Sequence, residues 1–289
     1  MDQLPRISIV TVNYNGAEFL ERTIKSVLDQ RYPNLEYVII DGGSTDGSVD
    51  IIRKYESQLL YWLSEPDTGM YDAIQKGFEK TSGDIMGWIN SDDIYHPNAF
   101  FRIAEIFSDY PQINWLTGVP TAIDEKDNVM VPSFEDYPMW SKLRFYSGDF
   151  KWIQQESTLW KRTLWTAAGS TLKTKLKYAG DFDLWLRFFR YEKLYIVPVL
   201  FGGFRMRKLG QMSVTHRKEY IKEATDCLKR EMTKISFLNY LLIPLNYIDR
   251  ILISIPLIKK IYYNSGFRTI LGYPEKIVFN PKTQKLELK

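Results

Sequence analysis

Two adjacent carboxylates, Asp92 and Asp93, are well suited to hold a divalent cation. They follow an apolar run over residues 85–89, which Ser91 interrupts just before them. A buried strand that delivers acids to its carboxyl end is a common way to place a cation at the rim of an α/β sheet. Taken alone, an Asp-Asp pair is more often a solvated turn that caps the next helix. The rest of the sequence must therefore decide between these interpretations.

A second acid pair opens a stretch with helical spacing that runs to Phe189. Asp181 and Asp183 stand at its start, where the helix dipole and capping favour acids. That explanation is enough for one of them. An Asp at a helix start beside a sugar site is also well placed to act as a general base. Asp183 lies four residues before Arg187, so we expect it to cap the helix or to pair with Arg187.

Residues 152–158 combine an indole with two amides. Trp152, Gln154 and Gln155 would suit a sugar ring and its hydroxyl groups. The alternative is a polar edge strand with Trp152 in the core. Further along, a basic loop is expected over residues 202–213, where Arg205 and Arg207 could close over a diphosphate. A solvated basic loop is the competing interpretation.

The first half of the chain alternates strands with helices. Strands are predicted over residues 7–12, 35–40, 59–63 and 83–90, each followed by a helical pattern. This order predicts an α/β fold with a doubly wound, mostly parallel sheet and right-handed crossovers. Ligands bind beyond the carboxyl ends of such strands.

Polar residues stand at three of those strand ends: Thr11 with Asn13, then Asp41, then the Asp92–Asp93 pair. The first turn lacks the glycine pattern of a nicotinamide-binding fold, and no phosphate-binding P-loop is present. Asp41 stands where an acid can accept hydrogen bonds from a nucleoside base or ribose. A metal on Asp93 would then neutralise a pyrophosphate.

Four stretches, in this order and spacing, resemble glycosyltransferase family 2 with the GT-A fold. They are residues 8–15, 38–48, 65–77 and 83–93, which read SIVTVNYN, VIIDGGSTDGS, EPDTGMYDAIQKG and GDIMGWINSDD. The resemblance covers about the first 105 residues. Two positions depart from it, because many relatives carry Lys where this chain has Thr68 and Asn where it has Gln75.

The resemblance implies a role for most of these side chains. Nucleotide contacts are implied at Thr11, Asn13, Asp41 and Asp92, with Asp41 on the base and Asp92 on sugar or ribose. A Mn²⁺ or Mg²⁺ ion is implied on Asp93, and Asp181 matches the family's general base. Contacts with the donor or acceptor sugar are implied at Asp72, Trp152, Gln154, Gln155 and Asp183.

Composition and charge bound the remaining possibilities. A chain of 289 residues can bury a sizeable core. We expect a nucleotide-sugar half over residues 1–105, an acceptor half over 106–215 and a basic helical extension over 216–289. Cys227 is the only cysteine, and residues 1–6 show no signal-peptide core, so a cytoplasmic location is expected.

The extension differs in charge from the body, with a net charge of −4 through His216 and +7 from Arg217 onward. Its uncharged run from Ile235 to Ile248 has 14 residues. Roughly 20 are needed to span a bilayer, so we expect interfacial helices on a membrane surface over residues 235–268. The alternative is a helical pair packed on the domain or forming a dimer interface.

The sequence therefore predicts an inverting glycosyltransferase that uses a UDP-sugar and a divalent cation. The expected acceptor is a cell-surface or lipid-linked glycan, with no nucleic-acid partner. One displacement with one base, Asp181, gives inversion, since retention would need a second carboxylate at the anomeric carbon. The alternative is a non-catalytic scaffold that binds nucleotide-sugar or glycan and docks a partner through its tail.

Overall fold

The structure is a computed structural model that describes residues 4–130, 139–148, 153–208, 215–245, 248, 251–252, 255 and 267–288. The elements of the first half are β1 (Ile7–Asn13), α1 (Ala17–Leu28), β2 (Leu35–Asp41), α2 (Ser48–Tyr55), β3 (Tyr61–Ser64), α3 (Met70–Phe78), β4 (Ile85–Asn90), β5 (Ile94–Tyr95) and α4 (Ala99–Asp109). The predicted strands and helices of this half are all present, with ends shifted by a few residues.

The second half has shorter elements. They are β6 (Trp115–Thr117), β7 (Thr121–Ile123), β8 (Val129–Met130), α5 (Lys142–Tyr146), β9 (Thr158–Lys161), α6 (Arg162–Ala167), α7 (Gly180–Phe188), β10 (Tyr195–Ile196), β11 (Gly202–Arg205), α8 (Arg217–Met232), α9 (Phe237–Leu242), α10 (Phe267–Ile270), β12 (Ile277–Asn280) and β13 (Lys285–Leu288). A 3₁₀ turn over Gln155–Ser157 precedes β9.

The central sheet has seven strands in the order β10-β6-β9-β4-β1-β2-β3. Only β9 runs antiparallel to its neighbours, so the predicted mostly parallel sheet is confirmed. In the register of β1, Asn13 lies opposite Asp41 and Val12 lies opposite Asn90. The carboxyl ends of β1, β2 and β4 therefore meet at one edge of the sheet.

Both faces of this sheet are covered by apolar cores. Ile7 and Ile9 of β1 face the core beneath α1, whereas Val10 and Val12 face the Trp-rich core beneath α3 and α7. Because side chains alternate along a strand, this register fixes which polar residues of β1 point inward.

A second sheet of four strands, in the order β5-β11-β7-β8, lies beside the end of β4. Residues 202–205 were predicted as part of a loop, and this was wrong because they form β11, between β5 and β7. A Cβ on Gly202 would lie 2.2 Å from the Glu156 carbonyl oxygen, so this glycine serves close backbone approach rather than loop flexibility.

The C-terminal region begins with α8, which is part of the body. Ala224 and Cys227 are buried in the same core as α7, and Glu231 pairs with Arg190. The predicted extension over residues 216–289 thus begins with a helix that packs on the body, and its boundary stays a prediction. The final residues form a hairpin, β12–β13, whose Ile277 is buried. In the part of the chain that the structure describes, no helix is long and apolar enough to cross a membrane.

Candidate active site

Asp41 is the centre of a hydrogen-bond network at the end of β2. Its buried carboxylate accepts hydrogen bonds from Asn13 Nδ2 at 2.6 Å, Ser64 Oγ at 2.6 Å and the Ser44 backbone N–H at 2.9 Å. Burial by itself raises the pKa of the Asp41 carboxyl, but the hydrogen bonds from Ser44, Ser64 and Asn13 outweigh burial and lower the pKa. Asp41 thus fixes the loop that follows β2 and binds Asn13 at the end of β1.

Thr11 was predicted to contact the nucleotide, and this stays a prediction. Its side chain is fully buried on the same face of β1 as Ile9. Its hydroxyl lies 2.8 Å from the Tyr37 hydroxyl, inside the core beneath α1. The alternation of side chains along β1 therefore turns Thr11 away from the rim of the sheet.

The two acids after β4 differ sharply in exposure. Asp93 is fully buried, and its Oδ1 accepts the Arg205 backbone N–H at 2.8 Å. Burial, and then the charges of Asp92 and Glu156, raise the pKa of the Asp93 carboxyl well above its ordinary value. Asp92 keeps 26% of its side chain exposed and pairs with Arg207 Nε at 3.2 Å. The metal role predicted for Asp93 stays a prediction, and in this structure its carboxylate is turned into the fold.

Arg205 binds the loop that contains Asp92 and Asp93. Its buried guanidinium donates to the carbonyl oxygens of Asp92 at 2.6 Å and Asp124 at 2.8 Å, and lies over the Phe19 ring. It also forms an ion pair with Asp127 at 2.6 Å. These contacts hold the side chain inside the protein, and the predicted diphosphate role of Arg205 stays a prediction.

The donor set at this edge fits a cation that is shared with a diphosphate. Among the described residues, no three acidic, His or Cys side chains are grouped as a preformed metal site. Magnesium and manganese usually take one or two carboxylates together with substrate phosphate oxygens. Asp92 is a partly exposed carboxylate at the end of β4, and Arg207 lies beside it.

Asp181 lies at the start of α7, where it is partly exposed. Its Oδ1 accepts hydrogen bonds from the Phe182 N–H at 2.8 Å and from the Tyr71 hydroxyl at 3.2 Å. Burial raises the pKa of the Asp181 carboxyl to about 6, and these two hydrogen bonds limit the rise. A carboxyl with this pKa is ionised at neutral pH and is more basic than an ordinary Asp.

Several predicted sugar contacts have structural partners instead. Asp183 is buried and pairs with Arg187 Nε at 2.9 Å, which confirms the predicted ion pair. Gln154 bonds the backbone of Thr121 through both ends of its amide, and Gln155 donates to the Trp88 carbonyl. Trp152 lies outside the described residues.

Asp72 keeps 21% of its side chain exposed near the start of α3. It accepts the Thr68 N–H at 3.2 Å and pairs with Lys76 at 3.4 Å. Gln75, the second departure from the family pattern, accepts the Leu172 N–H through Oε1 at 2.9 Å, so its longer side chain bridges α3 to the loop before α7.

Glu156 is a site residue that sequence reasoning missed. It is 3% exposed, and its Oε1 has no hydrogen-bond partner within the described part of the chain. Burial, and to a lesser extent the charges of Asp92 and Asp181, raise the pKa of its carboxyl to about 8. Glu156 therefore lies within electrostatic range of both acids.

Tyr14 and Asp67 were also missed. Tyr14 follows β1 and is 69% exposed, which is unusual for a large aromatic side chain. A Cβ on Gly42 would lie 2.8 Å from Asp67 Oδ2 and 3.3 Å from Tyr14 Cδ2. The two side chains thus flank the place where a side chain at position 42 would stand. The sequence signal for this slot is the glycine at position 42, directly after Asp41.

Comparison with known proteins identifies the family of this chain. Residues 8–165 match the family described as Glycosyl transferase family 2. The chain belongs to this family. As a family 2 member, it is 37% identical over 120 residues to an uncharacterized glycosyltransferase of Mycobacterium tuberculosis, a match that covers 41% of this chain and 46% of the relative. It therefore spans less than half the length of that relative.

Two further family 2 comparisons are informative. A Bacillus subtilis glycosyltransferase, TuaG, which is assigned by name to teichuronic acid biosynthesis, is 36% identical over 92 residues, covering 31% of this chain and 36% of TuaG. The structure of S. aureus TarS residues 1–349 with UDP-GlcNAc superposes with a TM-score of 0.67 at 16% identity. That superposition covers 86% of this chain and 73% of TarS and shows the shared fold.

Proposed function

We propose that the chain transfers a sugar from a UDP-sugar to a hydroxyl group of a glycan or lipid-linked glycan, with inversion at the anomeric carbon. The observation that carries this proposal is the setting of Asp181 in a chain of glycosyltransferase family 2: its Oδ1 accepts a hydrogen bond from the Tyr71 hydroxyl at 3.2 Å at the start of α7. The Asp181 side chain is partly exposed there, as is that of Asp92 at the end of β4. A nucleotide-binding module or a scaffold would not require such a candidate base.

In the proposed reaction Asp181 is the general base. Its carboxylate takes the proton of the acceptor hydroxyl as the hydroxyl oxygen attacks the anomeric carbon from the face opposite the nucleotide. The bond between that carbon and the diphosphate oxygen breaks, and UDP leaves with the electron pair. The raised pKa of Asp181, about 6, suits this proton transfer near neutral pH.

The donor diphosphate is proposed to lie against Asp92 and Arg207. Asp92 would hold a Mn²⁺ or Mg²⁺ ion, which when bound neutralises charge on the leaving diphosphate. Arg207 now pairs with Asp92 at 3.2 Å and can turn to the phosphate oxygens when a cation occupies the carboxylate.

The base of the nucleotide is proposed to stack on Tyr14 and to donate a hydrogen bond to the Asp67 carboxylate. Oδ1 of Asp67 accepts the Gly69 N–H at 2.8 Å, while Oδ2 lies at the slot left by Gly42. Uracil presents N3–H as a donor to a carboxylate, whereas cytosine presents an acceptor at N3. This difference favours UDP over CDP, and the UDP-GlcNAc bound to TarS is consistent with such a donor.

The acceptor is proposed to be a growing envelope glycan at the surface of the cytoplasmic membrane. The teichuronic acid assignment of TuaG points to this class of acceptor. After α8 the described residues expose Phe237, Tyr240 and Leu241, with exposed fractions of 54–77%. Apolar side chains on a positively charged segment are typical of a surface that lies on anionic lipid.

The test is a transfer assay with purified protein, Mn²⁺ and a panel of UDP-sugars, together with release of UDP in the absence of acceptor. Asp181→Asn should lower turnover by about 10³-fold, within the range general bases contribute, while UDP affinity is unchanged. Wild-type turnover in Asp181→Asn would overturn the proposed base. Donor binding with neither transfer nor hydrolysis by the wild type would favour the scaffold alternative.

A further inference from the structure

Glu223, in the middle of α8, binds the backbone directly before α7. Its carboxylate accepts hydrogen bonds from three successive N–H groups, those of Lys177 at 3.1 Å, Tyr178 at 2.8 Å and Ala179 at 3.0 Å. N–H groups at a helix start lack partners within the helix and carry partial positive charge. One carboxylate from another helix therefore caps the segment that leads into Asp181.

Tyr71 of α3 contacts the same segment. Its hydroxyl lies 3.0 Å from the Tyr178 carbonyl oxygen and 3.2 Å from Asp181 Oδ1. Its ring rests against Gly180, where an added Cβ would lie 2.7 Å from ring atoms. The His216 ring, at the start of α8, stacks on Tyr178 with 4.9 Å between ring centroids.

We infer that Glu223 is a positioning residue for Asp181, so that α8 sets the geometry of the base. Helix α8 itself lies outside residues 8–165, which match the family. The cap fixes the backbone of residues 177–179, and this backbone determines where the first turn of α7 presents Asp181 to Tyr71. The inference rests on the proposed function, in which Asp181 is the base.

Ionisable groups on three elements lie within electrostatic range of Asp181. Tyr71 lies on α3, Tyr220 on α8 and Glu156 in the 3₁₀ turn before β9. Loss of the cap would loosen the start of α7 and admit water to Asp181. Because burial is what raises the Asp181 pKa, hydration would lower that pKa and move the acid limb of the pH–rate profile to lower pH.

The experiment compares Glu223→Ala and Glu223→Gln with Asp226→Asn, an exposed acid three residues further along α8. We expect Glu223→Ala to lower kcat by about tenfold or more, because small misplacement of a reacting group is costly. The acid limb should move to lower pH, and the donor KM should stay within about twofold, since the donor site is separate. Glu223→Gln, which keeps one amide oxygen as an acceptor, should be intermediate, and Asp226→Asn should match the wild type.

Hydrogen exchange of the full chain separates this inference from the proposed function. In Glu223→Ala the amides of residues 177–179 should lose protection while those of β1 and β4 keep theirs. Unchanged protection at 177–179, or a kcat within about twofold of the wild type with an unmoved acid limb, would overturn the inference. Active Asp181→Asn would instead overturn the proposed base, whatever the exchange result.

Discussion

The backbone N–H of Arg205 donates to Asp93 Oδ1 at 2.8 Å, across 112 residues of sequence. This bond fastens the second sheet to the loop after β4 and turns Asp93 inward. Thr23 holds the same loop from α1, because its hydroxyl lies 2.9 Å from the Ser91 carbonyl oxygen and 2.7 Å from that of Asp93. Asp92, between these anchors, is the acid that remains partly exposed.

The two neighbouring acids should therefore respond differently to substitution. Asp92→Asn should weaken Mn²⁺-dependent UDP binding by about tenfold or more, because it removes the carboxylate charge that a cation requires. Asp93→Ala should lower the free energy of unfolding by about 1–3 kcal/mol, since it leaves the buried Arg205 N–H without its acceptor. UDP titration with and without Mn²⁺ and urea unfolding would measure the two effects. A metal-binding loss in Asp93→Ala at unchanged stability would restore the original assignment.

The placement of these acids shows how far the sequence leads. The strand ends, the parallel sheet and the ion pair of Asp183 with Arg187 follow from local periodicity and short-range spacing. Which of two adjacent carboxylates faces inward depends on β11, which arrives more than a hundred residues later. No local pattern contains that information.

Thr11 and Glu156 show two other limits of prediction from a single sequence. Alternation with Ile9 places the Thr11 side chain inside the protein, whereas the predicted nucleotide contact rests on its strand-end position. Glu156 carries no periodic or motif signal in this single sequence. Its importance follows from burial near two other acids, which only the tertiary arrangement shows.

The pH dependence of transfer should follow the ionisation of Asp181. The base works only when deprotonated, so kcat/KM should rise with pH through about 6, the pKa that burial gives this carboxyl. The Tyr71 hydroxyl lowers this pKa by its hydrogen bond, so Tyr71→Phe should move the limb to higher pH. Profiles of kcat/KM from pH 5 to 8 for both proteins would measure the shift. A limb at the same pH in Tyr71→Phe would contradict the bond's role.

Base selectivity should depend on Asp67. Asp67→Asn presents an amide that can either accept or donate, so it should reduce the preference for UDP over CDP by about tenfold, the size of one charge-assisted hydrogen bond. Isothermal titration with both nucleotides would measure the ratio. Asp50→Asn, an exposed acid on α2, is a matched control. Equal UDP/CDP ratios in wild type and Asp67→Asn would show that the base is read elsewhere.

Membrane binding should depend on the apolar side chains exposed after α8. Replacing Phe237, Tyr240 and Leu241 by Ser should abolish most sedimentation with anionic vesicles, because each buried apolar side chain contributes about 1.5–3 kcal/mol when it leaves water. Phe279→Ser, on the exposed face of the terminal hairpin, is the control. The substituted protein should still transfer to a soluble acceptor, since these side chains lie outside the active site. If it pellets with anionic vesicles as the wild type does, this surface serves a protein contact, such as a dimer interface, rather than the membrane.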